Sequence, residues 1–367
     1  MQANYKKLNN LIGWLVFAIA AFTYISTIEP TVSFWDCGEY IATSVKLQVG
    51  HPPGAPFFQL LGAFFGNLVE ANNQALMINM MSALSSAFTI LFLFWTLTAL
   101  GLKFSRHYGE MNKGRMVSIF GAAIVGALAY TFSDSFWFSA TEGEVYAMSS
   151  FFTALAFWAI LKWEYEVDHS GRAHRWLIFI AYMMGLAIGV HILVFLTIPA
   201  IVMVYFFKYK PQMNRRQFIL YNVVAVLILG IVFSAIIPLI LNTFGKLEIF
   251  FVNTLSLPFN SGTIFALLLL VAAAAFGLIY TRKKDIPIAN TLILSVLFIV
   301  LGYSTFITLA IRSNANTPID ENNPEDALSL LAYYNREQYG DWPVFYGQYF
   351  NAPLDQAGAL FRWQPHL

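Results

Sequence analysis

Charge is what this sequence has least of. Asp, Glu, Lys and Arg make up 11% of its 367 residues, against about 25% in soluble domains. With 58% hydrophobic residues, it holds too little polar surface to cover a water-soluble globule of its length. It is read as an integral membrane protein. The formal net charge is +1, which implies no nucleic-acid partner. Cysteine is nearly absent: Cys37 stands alone, excluding an intramolecular disulfide and a cysteine-rich metal site. Walker A, H-E-x-x-H and G-x-S-x-G patterns are missing, so a cytosolic ATP-driven or nucleotide-sugar machine has no support. Internal repeats and low-complexity tracts are missing too.

What the sequence has in abundance is apolar runs. A membrane-crossing helix needs roughly 20 apolar residues. Runs lie near 10–28, 76–102, 117–133, 144–161, 176–190, 191–207, 217–241, 262–280 and 289–310. They predict an all-α polytopic bundle of about nine transmembrane helices. The segments 176–190 and 191–207 could be two short helices meeting at a break or one long tilted helix. Segment 55–69 is apolar but short, which suits an interfacial or re-entrant helix. The N-terminal MQANYKKLNN leads into a run that continues to TYISTIEP with no small-residue cleavage site, so it reads as a retained signal anchor.

Basic residues collect in cytoplasmic loops. With nine crossings and a cytoplasmic N-terminus, sixteen of the 21 Lys and Arg fall inside, in segments 6–7, 103–115, 162–175, 208–216 and 282–284. Fusing 176–207 into one span would put the last two clusters outside, so two spans are preferred. The polar stretch PTVSFWDCGEY (30–40), the loop near 133–144, the loop near 242–261 and everything from about residue 312 then face outward. Residues 1–311 read as the membrane domain. Residues 312–367 read as the start of an outer, water-exposed region that continues past FRWQPHL.

The outer stretches carry the candidate chemistry. Ser33 followed by Asp36 fits a capping box, which would make Asp36 a structural residue. Alternatively Asp36 and Glu39, three apart, share a helix face and could take a proton from a hydroxyl or bind a cation or a sugar. His51 lies in GHPPGAP, a turn stiffened by two prolines. It is either a bystander or a phosphate partner held toward Asp36. In TEGEVYAMSS, Glu142 and Glu144 could favour a helix dipole. Glu144, nearer the apolar phase, could instead be functional. His191 invites the same question at its span's outer end. Arg312 follows the last span, either as a snorkelling anchor or as a grip on a phosphate.

Three stretches also carry a resemblance: TVSFWDCGEYIATSVKLQVGHPPGAPFFQLLGAFF (31–65), EGEVYAMSSFFTAL (142–155) and IRSNANTPIDENNPE (311–325). They resemble a group of bacterial membrane proteins of the GT-C superfamily of glycosyltransferases, similar to the eukaryotic transmembrane protein O-mannosyltransferases. The resemblance covers most of the chain, and the first motif is the most specific. It implies a GT-C-like bundle in a bacterial inner membrane, with interfacial helices in the first outer loop and a periplasmic active site. The implied donor is a polyprenyl-phosphate sugar, with mannose the sugar by analogy. The implied acceptor is a hydroxyl, Ser or Thr of an exported protein, and the transfer inverts the sugar. By the same analogy Asp36 is the general base and Glu39 positions acceptor or sugar. Glu144 lines the cavity, and His51, Arg312 and, less directly, His191 serve the donor. No metal and no cofactor beyond the lipid-linked sugar are implied.

Two other functions compete. A transporter would use the acids as ion or substrate ligands, but transporters favour polar sites at mid-membrane in broken helices. A scaffold of an envelope complex would use the exposed aromatics of the tail as a docking surface.

Overall fold

The computed structural model describes residues 2–233 and 237–340. Among these residues the chain is helical with no extended strand; one isolated backbone bridge joins Val49 to Asp320. A long α1 (Gln2–Ser26) is followed by two short helices, α2 (Cys37–Lys46) and α3 (Pro56–Gly66). Next come α4 (Gln74–Arg106), α5 (Lys113–Thr131), the short α6 (Asp134–Ala140), α7 (Val145–His169), α8 (His174–Ile188) and α9 (Ile198–Tyr209). The rest is α10 (Arg215–Ile231), α11 (Ile237–Ile249), α12 (Ser261–Lys283), α13 (Pro287–Tyr303), α14 (Ile307–Ser313) and α15 (Ala327–Tyr334).

Seven helical stretches among the described residues are long and apolar enough to span a membrane, built on α1, α4, α5, α7, α9, α12 and α13. The protein is an all-α polytopic membrane protein. The other two expected spans correspond to α8, with 15 residues, and α10, with 17. α8, at about 1.5 Å per residue, is short against a hydrocarbon core of about 30 Å and is prolonged by the turn after it, while α10 runs on to residues outside the described set. Side chains such as Ile264, Leu268 and Val271 on α12 point away from the protein. In water such a surface would be a liability; it is what a helix presents to lipid.

Contacts along the helices give their relative directions. Tyr5 reaches Thr98 while Phe17 meets Phe88, so α1 and α4 are antiparallel. Phe88 meets Phe151, Trp95 meets Trp158 and Lys103 pairs with Glu164, so α4 and α7 are parallel. Phe206 stacks on Tyr221 and Phe207 meets Phe218, which makes α9 and α10 antiparallel.

The open question at 176–207 is answered the same way. The helix breaks at Gly189–His191, and a 3₁₀ turn, Ile192–Thr197, leads into α9. Tyr182 lies against Phe298, Gly185 against Ile299 and Gly302, and Gly189 against Thr305, so α8 and α13 are parallel. Two parallel crossings need an odd number of crossings between them. Segments α9, α10–α11 and α12 supply three only if α8 and α9 cross separately. The α8–α13 contact depends on Gly185: a Cβ there would overlap the Ile299 backbone.

These directions gather the C-terminal ends of α1, α5, α8 and α13 and the N-terminal ends of α4, α7 and α9 at one end of the bundle. α2 and α3 lie there as well. With 11 residues, α3 is too short to cross, as expected for an interfacial helix. Its first amides need outside acceptors. Phe57 and Phe58 donate theirs to the Gly189 carbonyl, at 2.8 and 3.1 Å. The break after α8 thus anchors the first loop.

The segment after α14 packs on this same end. Val49 exchanges backbone bonds with Ile319 and Glu321, both 3.1 Å. Gln48 accepts the Ile319 amide at 2.7 Å. Residues 341–367 of the expected outer region lie outside the described residues.

Candidate active site

Asp36 stands at the N-cap position of α2, but its side chain makes no capping bond. The helix begins at Cys37, later than a Ser33 cap would place it. Capping therefore does not explain Asp36, whose carboxylate is exposed.

One turn further, Glu39 is engaged with His51. Its Oε1 accepts the His51 backbone N–H at 2.6 Å, and both its oxygens lie within reach of Nδ1, at 3.0 and 3.1 Å. The approach requires glycine at position 50, because a Cβ there would overlap Glu39 Oε1. Tyr333 fixes the loop from the far end of the chain, donating its hydroxyl to the Gly50 carbonyl at 2.5 Å. The buried Tyr40 ring lies 5.6 Å from the His51 ring and supports it.

The two partners shift each other. Burial alone pushes the Glu39 carboxyl up, but bonds from the His51 side chain and backbone outweigh it and hold the group below its ordinary value. The Glu39 hydrogen bond raises His51 against the opposing effect of burial. Together they form a hydrogen-bonded carboxylate–imidazole pair beside Asp36.

Glu144 comes from the other side. It is the N-cap residue of α7, again with no side-chain capping bond, and it is 5% exposed. Burial first, then the neighbouring Glu142 and Asp36, push it up to about 7, with His51 opposing. Glu142 is 2% exposed, and its Oε2 has no hydrogen-bond partner. Nearby, Asn79 of α4 donates to the carbonyls of Glu29 and Thr31, at 2.7 and 2.8 Å, and ties down the start of the acidic loop.

His191 reaches this group only through Tyr146, whose ring is 5.3 Å away. Its Nδ1 accepts the Leu193 amide at 3.2 Å, and burial lowers its pKa. Arg312 sits apart. Its Nε donates to the Leu47 carbonyl at 2.5 Å and its Nη2 to Lys46 at 3.2 Å. There it satisfies the free carbonyls at the C-terminal end of α2 and complements the helix dipole.

One oxygen or nitrogen from each of Asp36, Glu39 and His51 can be brought within 4.8 Å of the others, a spacing that could hold a metal ion. The set fits poorly, because Glu39 and His51 already satisfy each other, and a hard cation takes about six oxygen ligands.

The supporting residues Asn79, Gln48 and Tyr333 were not legible in the sequence, whereas Gly50, in the GHPPGAP turn, was legible as a position permitting tight backbone geometry. Tyr333 lies far off in sequence and gave no signal.

Residues 36–215, just under half of the chain, match the family described as the Protein O-mannosyl-transferase TMEM260 N-terminal domain. The match begins at Asp36. A Dictyostelium discoideum protein O-mannosyl-transferase tmem260 is 28% identical over 228 residues, covering 59% of this chain and 26% of the relative. The Mus musculus protein O-mannosyl-transferase TMEM260 is 27% identical over 149 residues, covering 41% of this chain and 19% of its own length. This chain thus spans about a quarter or less of those relatives. No solved structure matches it. Over residues 36–215, from the start of α2 through α9, the chain is similar to the protein O-mannosyl-transferase family.

Proposed function

We propose that this chain is the membrane part of an inverting glycosyltransferase. It moves a sugar, mannose by family analogy, from a polyprenyl phosphate to a Ser or Thr hydroxyl of an exported protein. The observation that carries the reading is the state of Asp36. It is an exposed carboxylate at a helix start, with no side-chain capping bond, beside a fixed Glu39–His51 pair and within the residues that match the family.

The chemistry follows from the arrangement. Asp36 takes the proton of the acceptor hydroxyl. That oxygen bonds to the anomeric carbon from the face opposite the phosphate, the bond from carbon to phosphate oxygen breaks, and polyprenyl phosphate leaves. Attack from the opposite face inverts the anomeric centre. Glu39, locked by His51, orients the acceptor or sugar. His51, its pKa raised by the Glu39 hydrogen bond, offers its ring edge to the developing phosphate charge. Arg312 acts indirectly, by holding the end of α2, and His191 through Tyr146. The reading needs no metal. The site faces the outer side, and the Lys- and Arg-rich end faces the cytoplasm.

The test is a transfer assay with polyprenyl-phosphate mannose and a Ser/Thr peptide, with and without EDTA. The reading expects mannosylated peptide, unaffected by EDTA and lost in Asp36→Asn. Full activity of that variant would remove Asp36 from the mechanism. Loss with EDTA would make the Asp36–Glu39–His51 cluster a metal site.

A further inference from the structure

We propose that Glu144 serves the reaction as a neutral, protonated carboxyl that donates a hydrogen bond to the phosphate of the incoming lipid-linked sugar. The proposal rests on the glycosyl-transfer reading and gives its donor side a specific partner.

The site has a charge problem. Asp36, Glu39, Glu142, Glu144 and Glu321 all act on one another or on His51. Among the described residues His51 is the one cationic side chain ion-paired with any of them. Arg312, the cation expected for a phosphate, is bonded to the carbonyls of Lys46 and Leu47. A phosphodiester donor would bring a further negative charge into this group. An ionised carboxylate can only accept hydrogen bonds, whereas a protonated one offers an O–H.

Glu144 is the acid placed to hold that proton. It is nine-tenths buried and at a helix N-cap, yet its carboxyl caps nothing and makes no hydrogen bond among the described residues. Glu142, two residues before it, is buried deeper, with an oxygen lacking any partner. Two buried carboxyls two residues apart, both acted on by further acids, disfavour full ionisation of the group. The groups acting on or facing Glu144 are Glu142, Asp36, His51, Cys37, Tyr40 and Tyr146. None is a lysine or arginine. Burial and the neighbouring acids push Glu144 up to about 7, which favours its protonated form. The two ends of the site then divide the work: Asp36, open to water, meets the acceptor, and Glu144, buried, meets the donor.

The experiment measures binding of polyprenyl-phosphate mannose in the absence of acceptor, at about pH 6 and about pH 8.5, either side of the Glu144 titration. The probe is a phosphodiester, so its own single charge is constant across this range. In the unmodified protein, affinity should fall on the order of tenfold at the higher pH, as a carboxylate appears beside the phosphate. Glu144→Gln cannot ionise, so its affinity should fall clearly less than that of the unmodified protein, leaving only the part that the His51 titration contributes. Glu144→Leu, which removes the donor, should bind weakly at both. Infrared spectra should show a protonated-carboxyl band that titrates near pH 7 and is missing in Glu144→Gln. Donor binding without that band, or an unchanged pH response in Glu144→Gln, overturns the role of Glu144 alone. A titrating band with no donor binding at either pH overturns the lipid-phosphate reading, and the assigned partner with it.

Discussion

The two ends of the bundle use acidic residues in opposite ways. At the basic end three acids have a cation among the described residues: Glu164 with Lys103, Asp168 with Lys208 at 2.5 Å, and Glu166 with Arg175 at 3.7 Å. In each pair at least one partner is open to solvent. At the other end Glu142 and Glu144 are buried without a cation, and Asp36 is exposed without a structural bond. Solvated pairs cost little and contribute little. Buried unpaired acids cost stability, and a protein retains them where function requires it. Under the proposed function, the contrast separates charges that finish the fold from charges left free for chemistry.

The sharpest way to break that contrast is Asp36→Asn. If Asp36 does chemistry and no structural work, transfer should fall by at least about a hundredfold with no change in thermal unfolding. Substituting an acid that finishes the fold would do the reverse.

His51→Ala should come next. It leaves Glu39 partly buried without its partner, costing about 1–3 kcal/mol, and it lowers activity as well. Adding Glu39→Gln should recover part of that stability, because the orphaned charge goes with it. A double variant as unstable as the sum of the singles would show that the two groups are not coupled.

The same groups set a pH profile for stability. Glu39 is held low, so its contribution is present above its ordinary value of 4.5 and is lost as pH falls through its lower folded value. His51 is held high, so its contribution is full below 6.5 and is lost as pH rises through its raised value. Glu144 is raised, so the folded state loses stability as pH climbs from 4.5 to about 7. All three directions favour the mildly acidic range. Thermal unfolding in detergent should peak between 4.5 and 6.5 and decline above it. Glu144→Gln should flatten the decline up to about 7. A profile that rises toward alkaline pH would contradict the assigned directions.

How far the sequence foretold this depends on the physics at each place. Long apolar runs and their basic flanks were legible because a bilayer imposes them, and they gave the helices and the two-span reading of 176–207. α8 was legible in place but not in length, since tertiary packing rather than hydropathy sets where it stops, at Gly189. Asp36, Glu39 and His51 came together as their spacing suggested. The role of Arg312 was not legible. A cation after a span looks the same whether it binds phosphate or the end of a helix 265 residues away in sequence. The same holds for Tyr333, whose bond to Gly50 closes a separation of 283 residues.

Gly50→Ala tests the site's geometry with one methyl group. The added Cβ would displace the Glu39 carboxylate from His51, a shift that a flexible side chain makes at little cost to the fold. Activity should fall with little change in donor binding, because the disturbed carboxylate is on the acceptor side.

The smallest effect is expected at the opposite end, where it is most useful as a control. Lys208→Ala removes the bond to Asp168, which is 62% exposed. The change in stability should stay within about 1 kcal/mol, and transfer should be unchanged. Both acids and bases at that end can be solvated when their partners leave, so nothing there is stranded as Glu39 is without His51. If Lys208→Ala instead reduced transfer as far as His51→Ala does, the basic end would be coupled to the reaction. The division between fold-finishing and chemical charges would then have to be redrawn along α7, which carries Asp168 near one end and starts just after Glu144 at the other.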